Sequence, residues 1–228
     1  MIGTKKYFLL VIALFLVERV LAQSEIIDSS YANGYYKQRL AYFNQMPNRK
    51  KEIVFLGNSI TEVGEWQEVV HLKNVINRGI SGDNSFGVFY RLDEILASKP
   101  SKIFLMIGVN DIKRGTPLNL IIQNYERIAQ KIQRQSPRTK LYFQSVLPVA
   151  ESMLVSIYSK ISNEKIREAN KQLKRIAEKY QVPYIDLHND VFANQDGQLQ
   201  TDLTTDGLHL QPSAYILWVD YLKKHNYL

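Results

Sequence analysis

Cysteine is missing from all 228 residues of this chain. Its absence excludes a disulfide framework, a thiolate zinc site and a cysteine nucleophile at once. It says nothing against a stable fold, because a chain of this length can bury a full hydrophobic core as one domain. Long basic runs are missing too. Residues 1–22 hold three of the 29 basic and one of the 22 acidic groups, leaving 26 against 21 with no block of five or more. Such a scattered excess describes a solvated surface rather than a nucleic-acid footprint. No Gly-x-Gly-x-x-Gly or Walker A pattern occurs, so nucleotide binding has no support. A Gly-x-Ser-x-Gly elbow is absent because its last position is Thr61. Internal repeats, low-complexity tracts and interdomain linkers are absent as well.

What is present begins with a sorting pattern. Lys5 and Lys6 precede an apolar run from Tyr7 to Val17, and Val20-Leu21-Ala22 resembles a small-residue cleavage site before Gln23. The run is short for a bilayer span, and the order of its parts is that of a secretory signal peptide. The expectation is a signal peptide at 1–22, a secreted or periplasmic protein, and no stable membrane association after cleavage. An uncleaved anchor or an ordinary N-terminal helix is the alternative, favoured by Glu18-Arg19 near the end of the run. No lipobox cysteine is available for lipid anchoring.

Residues 23–51 form a polar, aromatic-rich lead-in, with a helix expected around Tyr35–Gln45 to cover one edge of the domain. From residue 52 to 228 the pattern is regular. Short apolar runs, Ile53–Leu56, Val75–Ile76, Ile103–Ile107, Leu141–Leu147 and Val182–Leu187, have the length and composition of buried parallel strands. Between them lie segments with helical spacing. In one, Leu118, Ile121, Ile122, Tyr125, Ile128, Ala129 and Ile132 share a face. A second helix is expected from about Ser162 to Tyr180, ended by Pro183, and a last one near Pro212, a first-turn position. Alternating strands and helices imply an α/β fold with a mostly parallel sheet of about five strands between helical layers.

Ligands of open parallel sheets bind outside the carboxyl ends of the strands. The polar clusters fall there: Gly57-Asn58-Ser59 after the first run, Ser81-Gly82-Asp83 after the second, Gly108-Val109-Asn110-Asp111 after the third. Asp206 and His209 stand in a loop just before the last helix. A serine needs a base to take its proton, and that base needs a carboxylate to fix its tautomer. Ser59, His209 and Asp206 supply these three groups. The N–H of Ser59, the N–H of Gly82 and the carboxamide of Asn110 are candidate oxyanion donors, each typically worth about 3 kcal/mol in a transition state. Taken singly each residue reads as turn or cap chemistry; the joint order carries the inference.

In this order of motifs the chain resembles the SGNH hydrolases, or GDSL esterases and lipases, whose four named residues are matched by Ser59, Gly82, Asn110 and His209. The resemblance runs from about Glu52 to the C-terminus. It is closest in pattern to the platelet-activating-factor acetylhydrolase-like and carbohydrate acetylesterase branches. It implies a three-layer α/β/α sandwich of flavodoxin-like type and ester hydrolysis without a metal or organic cofactor. Asn58 departs from the family's Gly-Asp-Ser, which bears on local hydrogen bonding and rate more than on reaction class.

The substrate expected on this resemblance is a small-molecule or glycan ester, with O-acetyl or another short acyl group removed from carbohydrate. A lysophospholipase or thioesterase acting on longer chains is one alternative, and a non-catalytic glycan-binding protein another. Trp66 and Asn84 are candidate contacts to a sugar or acyl group, with packing or surface placement the alternative. The segment Gln144-Ser145-Val146-Leu147-Pro148 is a candidate wall of the cleft. Asn194-Gln195-Asp196-Gly197 reads as a tight turn rather than a calcium loop, since Phe192 and Leu203 stand where carboxylates belong. His188, beside Asp186, is a possible decoy at the rim, while His71 and His225 read as surface or packing residues.

Overall fold

The computed structural model describes residues 28–228, so the expected signal peptide and the first residues of the lead-in lie outside it. Helix α1 (Gly34–Gln45) starts where Asn33 accepts a hydrogen bond from Tyr36 N–H, which satisfies one of the orphan donors of a first turn. It buries Tyr36 and Phe43 in a small cluster with Tyr31, Ile80 and Phe86. The chain then runs through β1 (Ile53–Gly57), α2 (Ser59–Glu62), α3 (Trp66–Val70), β2 (Val75–Gly79), α4 (Ser85–Tyr90), α5 (Leu92–Ala97) and β3 (Lys102–Met106). The second half contains α6 (Val109–Arg114), α7 (Leu118–Gln135), β4 (Lys140–Gln144), α8 (Asn163–Lys179), β5 (Tyr184–Ile185) and α9 (Pro212–Lys224).

All five strands are parallel, in the order β2-β1-β3-β4-β5. Helices α4, α5, α7 and α8 pack with one another on one side, and α3 packs with α9 on the other. This is the expected three-layer α/β/α sandwich. The runs that form β1 and β3 are apolar throughout because both faces of a parallel sheet are covered. Phe55, Phe104 and Tyr142 are cross-strand partners. Their rings stack at 5.1 and 4.7 Å, giving the α3/α9 face an aromatic spine. Gly57, Gly79 and Met106 lie in register, so the segments leaving β1, β2 and β3 emerge at one rim.

Two strands, β4 and β5, are shorter than their apolar runs, β5 pairing only Tyr184 and Ile185 of 182–187. β4 ends at Gln144, and residues 145–150 continue as buried irregular chain. Side-chain amides replace the missing ladder there. Asn170 accepts from Val146 N–H and donates to Val146 C=O, both at 2.8 Å. Asn163 does the same for Val149, at 2.9 and 2.8 Å. Apolar composition reports burial, not pairing, and this segment is buried without being a strand.

Candidate active site

Ser59 opens α2, and the cap before it is Asn58, whose Oδ1 accepts Ile60 N–H at 3.0 Å. Asn58 is 1% exposed. A neutral amide serves as the cap here without a buried charge to compensate, so the departure at this position leaves the turn intact. Ser59 Oγ lies 3.0 Å from His209 Nε2, and His209 Nδ1 lies 2.7 Å from Asp206 Oδ2. The second carboxylate oxygen of Asp206 accepts the backbone N–H of His209 at 2.7 Å and of Leu208 at 3.0 Å. Burial alone would raise the Asp206 carboxyl. The hydrogen bonds from the His209 backbone and ring and from Leu208 outweigh it and hold the group below its ordinary value. The Asp-x-x-His spacing thus closes a short loop around its own carboxylate, which fixes the ring before any substrate arrives.

Gly82 stands beyond β2 at φ +79°, with open space where a side chain would point. Its glycine character meets a backbone requirement rather than a lack of room. Asn110 lies on α6 and is 8% exposed. One of its amide hydrogens goes to Asp83 C=O at 2.9 Å, which orients the carboxamide and leaves the second hydrogen for a ligand. Among the described residues no acceptor takes the N–H of Ser59 or of Gly82. The predicted nucleophile, base, carboxylate and three donors therefore stand at one rim, on elements from four parts of the chain.

Trp66 and Asn84 do not belong with them. Trp66 is 2% exposed. It stacks on Phe55 at 3.9 Å, meets Trp218 edge-on at 5.0 Å, and donates to Thr61 C=O at 2.8 Å. It is a core residue, and no ligand reaches its ring. Asn84 is fully buried, capping α4 by accepting Gly87 N–H and donating to Asp28. His188 is buried against Val146 and Ser145 rather than facing the triad, and burial lowers its basicity. His71 caps α3 at the surface in a left-handed conformation, and His225 packs at a tilt against Tyr221. Residues 194–197 form a turn closed by Asn194 Oδ1, and no acidic or histidine cluster suited to a metal occurs among the described residues.

Four supporting residues escape sequence reasoning. Arg114, one turn after Asn110, donates to Gly82 C=O at 2.8 Å. Arg91, 2% exposed, pairs with Asp83 at 2.9 Å and donates to Gly57 C=O and Arg78 C=O. It thereby joins the nucleophile turn to the Gly82 loop. Asp83 is fully buried, and desolvation pushes its carboxyl up to about 6 despite Arg91. Glu62, one turn after Ser59, accepts from Ser81 N–H at 2.7 Å. Spacing of one helical turn from Ser59 or Asn110 was the available signal for Glu62 and Arg114; Asp83 stands in the polar cluster beside Gly82, and nothing local marks Arg91.

A five-stranded parallel sheet between helical layers, with polar groups gathered at the carboxyl rim, places the chain in the α/β/α sandwich class. The profile of the GDSL-like Lipase/Acylhydrolase family matches residues 55–216. The chain belongs to that family. It is similar to a Streptococcus pneumonia protein described in connection with platelet activating factor. The two share 31% identity over 94% of this chain and 98% of that one, with a TM-score of 0.77. A GDSL-like lipase from Bacteroides thetaiotaomicron shares the fold at a TM-score of 0.73, with 22% identity over 87% of this chain and 100% of its own. The human platelet-activating factor acetylhydrolase IB subunit alpha1 is 22% identical over 175 residues, covering 74% of this chain and 72% of its own. The N-acylneuraminate cytidylyltransferase of Streptococcus agalactiae is 25% identical over 196 residues, 83% of this chain. The chain spans 43% of the length of that first curated relative.

Proposed function

We propose that this chain is an exported serine ester hydrolase that removes a short acyl group, acetyl above all, from a carbohydrate ester. The observation that carries the mechanism is the unbroken relay from Ser59 Oγ to His209 Nε2 at 3.0 Å and from His209 Nδ1 to Asp206 at 2.7 Å. Ser59 Oγ attacks the ester carbonyl while its proton passes to His209. The oxyanion that forms is met by Ser59 N–H, Gly82 N–H and the Asn110 carboxamide. Collapse of the intermediate breaks the ester C–O bond, and His209 returns the proton to the leaving alcohol. Water then attacks the acyl-serine by the same route, releasing the acid and restoring Ser59.

The short acyl group is supported by the acetylhydrolase name of the human relative. The carbohydrate portion rests on likeness to carbohydrate acetylesterases, an analogy of fold and motif. One observation favours a second reading, hydrolysis of longer acyl chains. Met153, Val155 and Ile157 are exposed, and Met153 packs against Gly207 in the His209 loop.

The test compares p-nitrophenyl acetate hydrolysis by the parent, Ser59→Ala and His209→Ala. Losses of about 10⁴-fold or more in both variants are expected. Variants that match the parent would remove the triad reading. A series from acetate to octanoate separates the two substrate readings, since the short-acyl reading requires rate to fall as the chain lengthens.

A further inference from the structure

Glu62 holds two parts of the molecule with its two carboxylate oxygens. Oε2 accepts from Ser81 N–H at 2.7 Å and also from the Ser81 hydroxyl. Oε1 accepts from Tyr35 Oη at 2.7 Å and lies 2.9 Å from Arg39 Nε. The guanidinium N–H points off that line, so the Arg39 contact is an ion pair rather than a directed hydrogen bond. Tyr35 and Arg39 lie on α1, outside the residues 55–216 that match the family. The Glu62 side chain is 12% exposed, so these contacts are only partly screened by water.

The position of Ser81 gives this carboxylate its meaning. Ser81 directly precedes Gly82, and Glu62 grips both its main chain and its side chain, so few torsions remain between the grip and Gly82 N–H. Ser59 and Glu62 stand one turn apart on α2. Gly79 lets the end of β2 close directly on that helix, since a Cβ there would stand 2.2 Å from Glu62 N. Asn77 fastens the same turn by donating to Glu62 C=O at 2.8 Å. The nucleophile and an oxyanion donor are therefore spaced by one short rigid unit, which is what transition-state stabilisation by fixed dipoles requires.

We propose that Glu62 is a positioning residue that sets Gly82 N–H relative to Ser59, and that α1 acts in catalysis by holding Glu62 through Tyr35 and Arg39. This rests on the serine-esterase reading above. A merely structural staple would cost stability alone, as exposed ion pairs do.

The test uses the purified chain with p-nitrophenyl acetate, Ser59→Ala setting the background. Glu62→Ala should lower kcat about 10- to 100-fold with KM within about threefold, because the contact acts on the transition state. Glu62→Gln, which keeps an acceptor for Ser81 N–H, should recover most of the loss. Tyr35→Phe with Arg39→Ala should lower kcat about threefold or more, since it frees the carboxylate without removing it. Exchange of the Ser81 amide hydrogen, which needs no turnover, should quicken about tenfold or more in Glu62→Ala. A Glu62→Ala kcat within twofold of the parent, a loss matched by the unfolded fraction, or unchanged Ser81 exchange would overturn the proposal. Should Glu62→Ala not fold, an unchanged kcat in the Tyr35/Arg39 variant overturns it instead. A parent with no Ser59-dependent activity sinks the serine reading, and the exchange measurement still decides whether Glu62 holds the loop.

Discussion

Asp206 performs two tasks for His209, and each uses a different oxygen. One accepts from the ring and the other from the backbone that carries the ring, so the imidazole is held in orientation and tautomer together. Asp206→Asn would keep much of this packing and lose the charge that stabilises the imidazolium. It should lower kcat by about 10³- to 10⁴-fold at neutral pH, read in the p-nitrophenyl acetate assay. The folded pKa of Asp206 is lowered, so the stability it contributes is full above the unfolded carboxyl value of about 3.9 and is lost only as pH falls through the lower folded value. Its carboxyl resonance should accordingly titrate below that unfolded value. Asn110→Ala removes one donor and should cost about 10²- to 10³-fold in kcat with little change in KM; a loss confined to KM would remove Asn110 from the oxyanion site.

Helices and strand ends bring these side chains together, and the two misjudged candidates show how. Trp66 belongs to α3, whose ring packs between Phe55 and Trp218. Trp66→Ala should cost about 3–5 kcal/mol of stability, seen as a lower melting temperature. The folded fraction should keep its KM, because the ring meets core and not substrate. Asn84 begins α4, and Asn84→Ala should cost about 1–2 kcal/mol through the lost cap. A large change in KM without a change in melting would return either residue to the substrate site. Both follow a candidate site segment in the chain, where nearness in sequence resembles nearness to the ligand. Helix periodicity was a better guide: the expected helix from Ser162 to Tyr180 is α8, Asn163–Lys179, capped by Ser162.

The whole molecule carries a polar network under its active rim, and it should show in the pH dependence of folding. Asp111 is fully buried, and desolvation raises its carboxyl to about 7 against the hydrogen bonds from Ser85. For an acid raised in the folded state, the contribution to stability is present below the unfolded value of about 3.9 and is lost as pH rises through the folded one. Asp111→Asn should therefore gain melting temperature relative to the parent between pH 4.5 and 8; a constant difference would place the burden elsewhere. The α/β class, the five strands, the longer helices, and the Ser59, Asp206 and His209 that the fold brings within hydrogen-bond distance were legible in the linear chain. Periodicity reports which face is buried, and the rim of a parallel sheet collects whatever follows each strand. Asp-x-x-His was legible for the same local reason, since three residues suffice to close its loop. Where β4 stops, what Trp66 touches, and how Arg91, Asp83, Glu62 and Arg114 brace the oxyanion donors were settled only by the folded chain. Those contacts join residues far apart in sequence, such as Tyr35 to Glu62 and Arg91 to Gly57. Their energies depend on burial and distance, which composition and spacing do not encode.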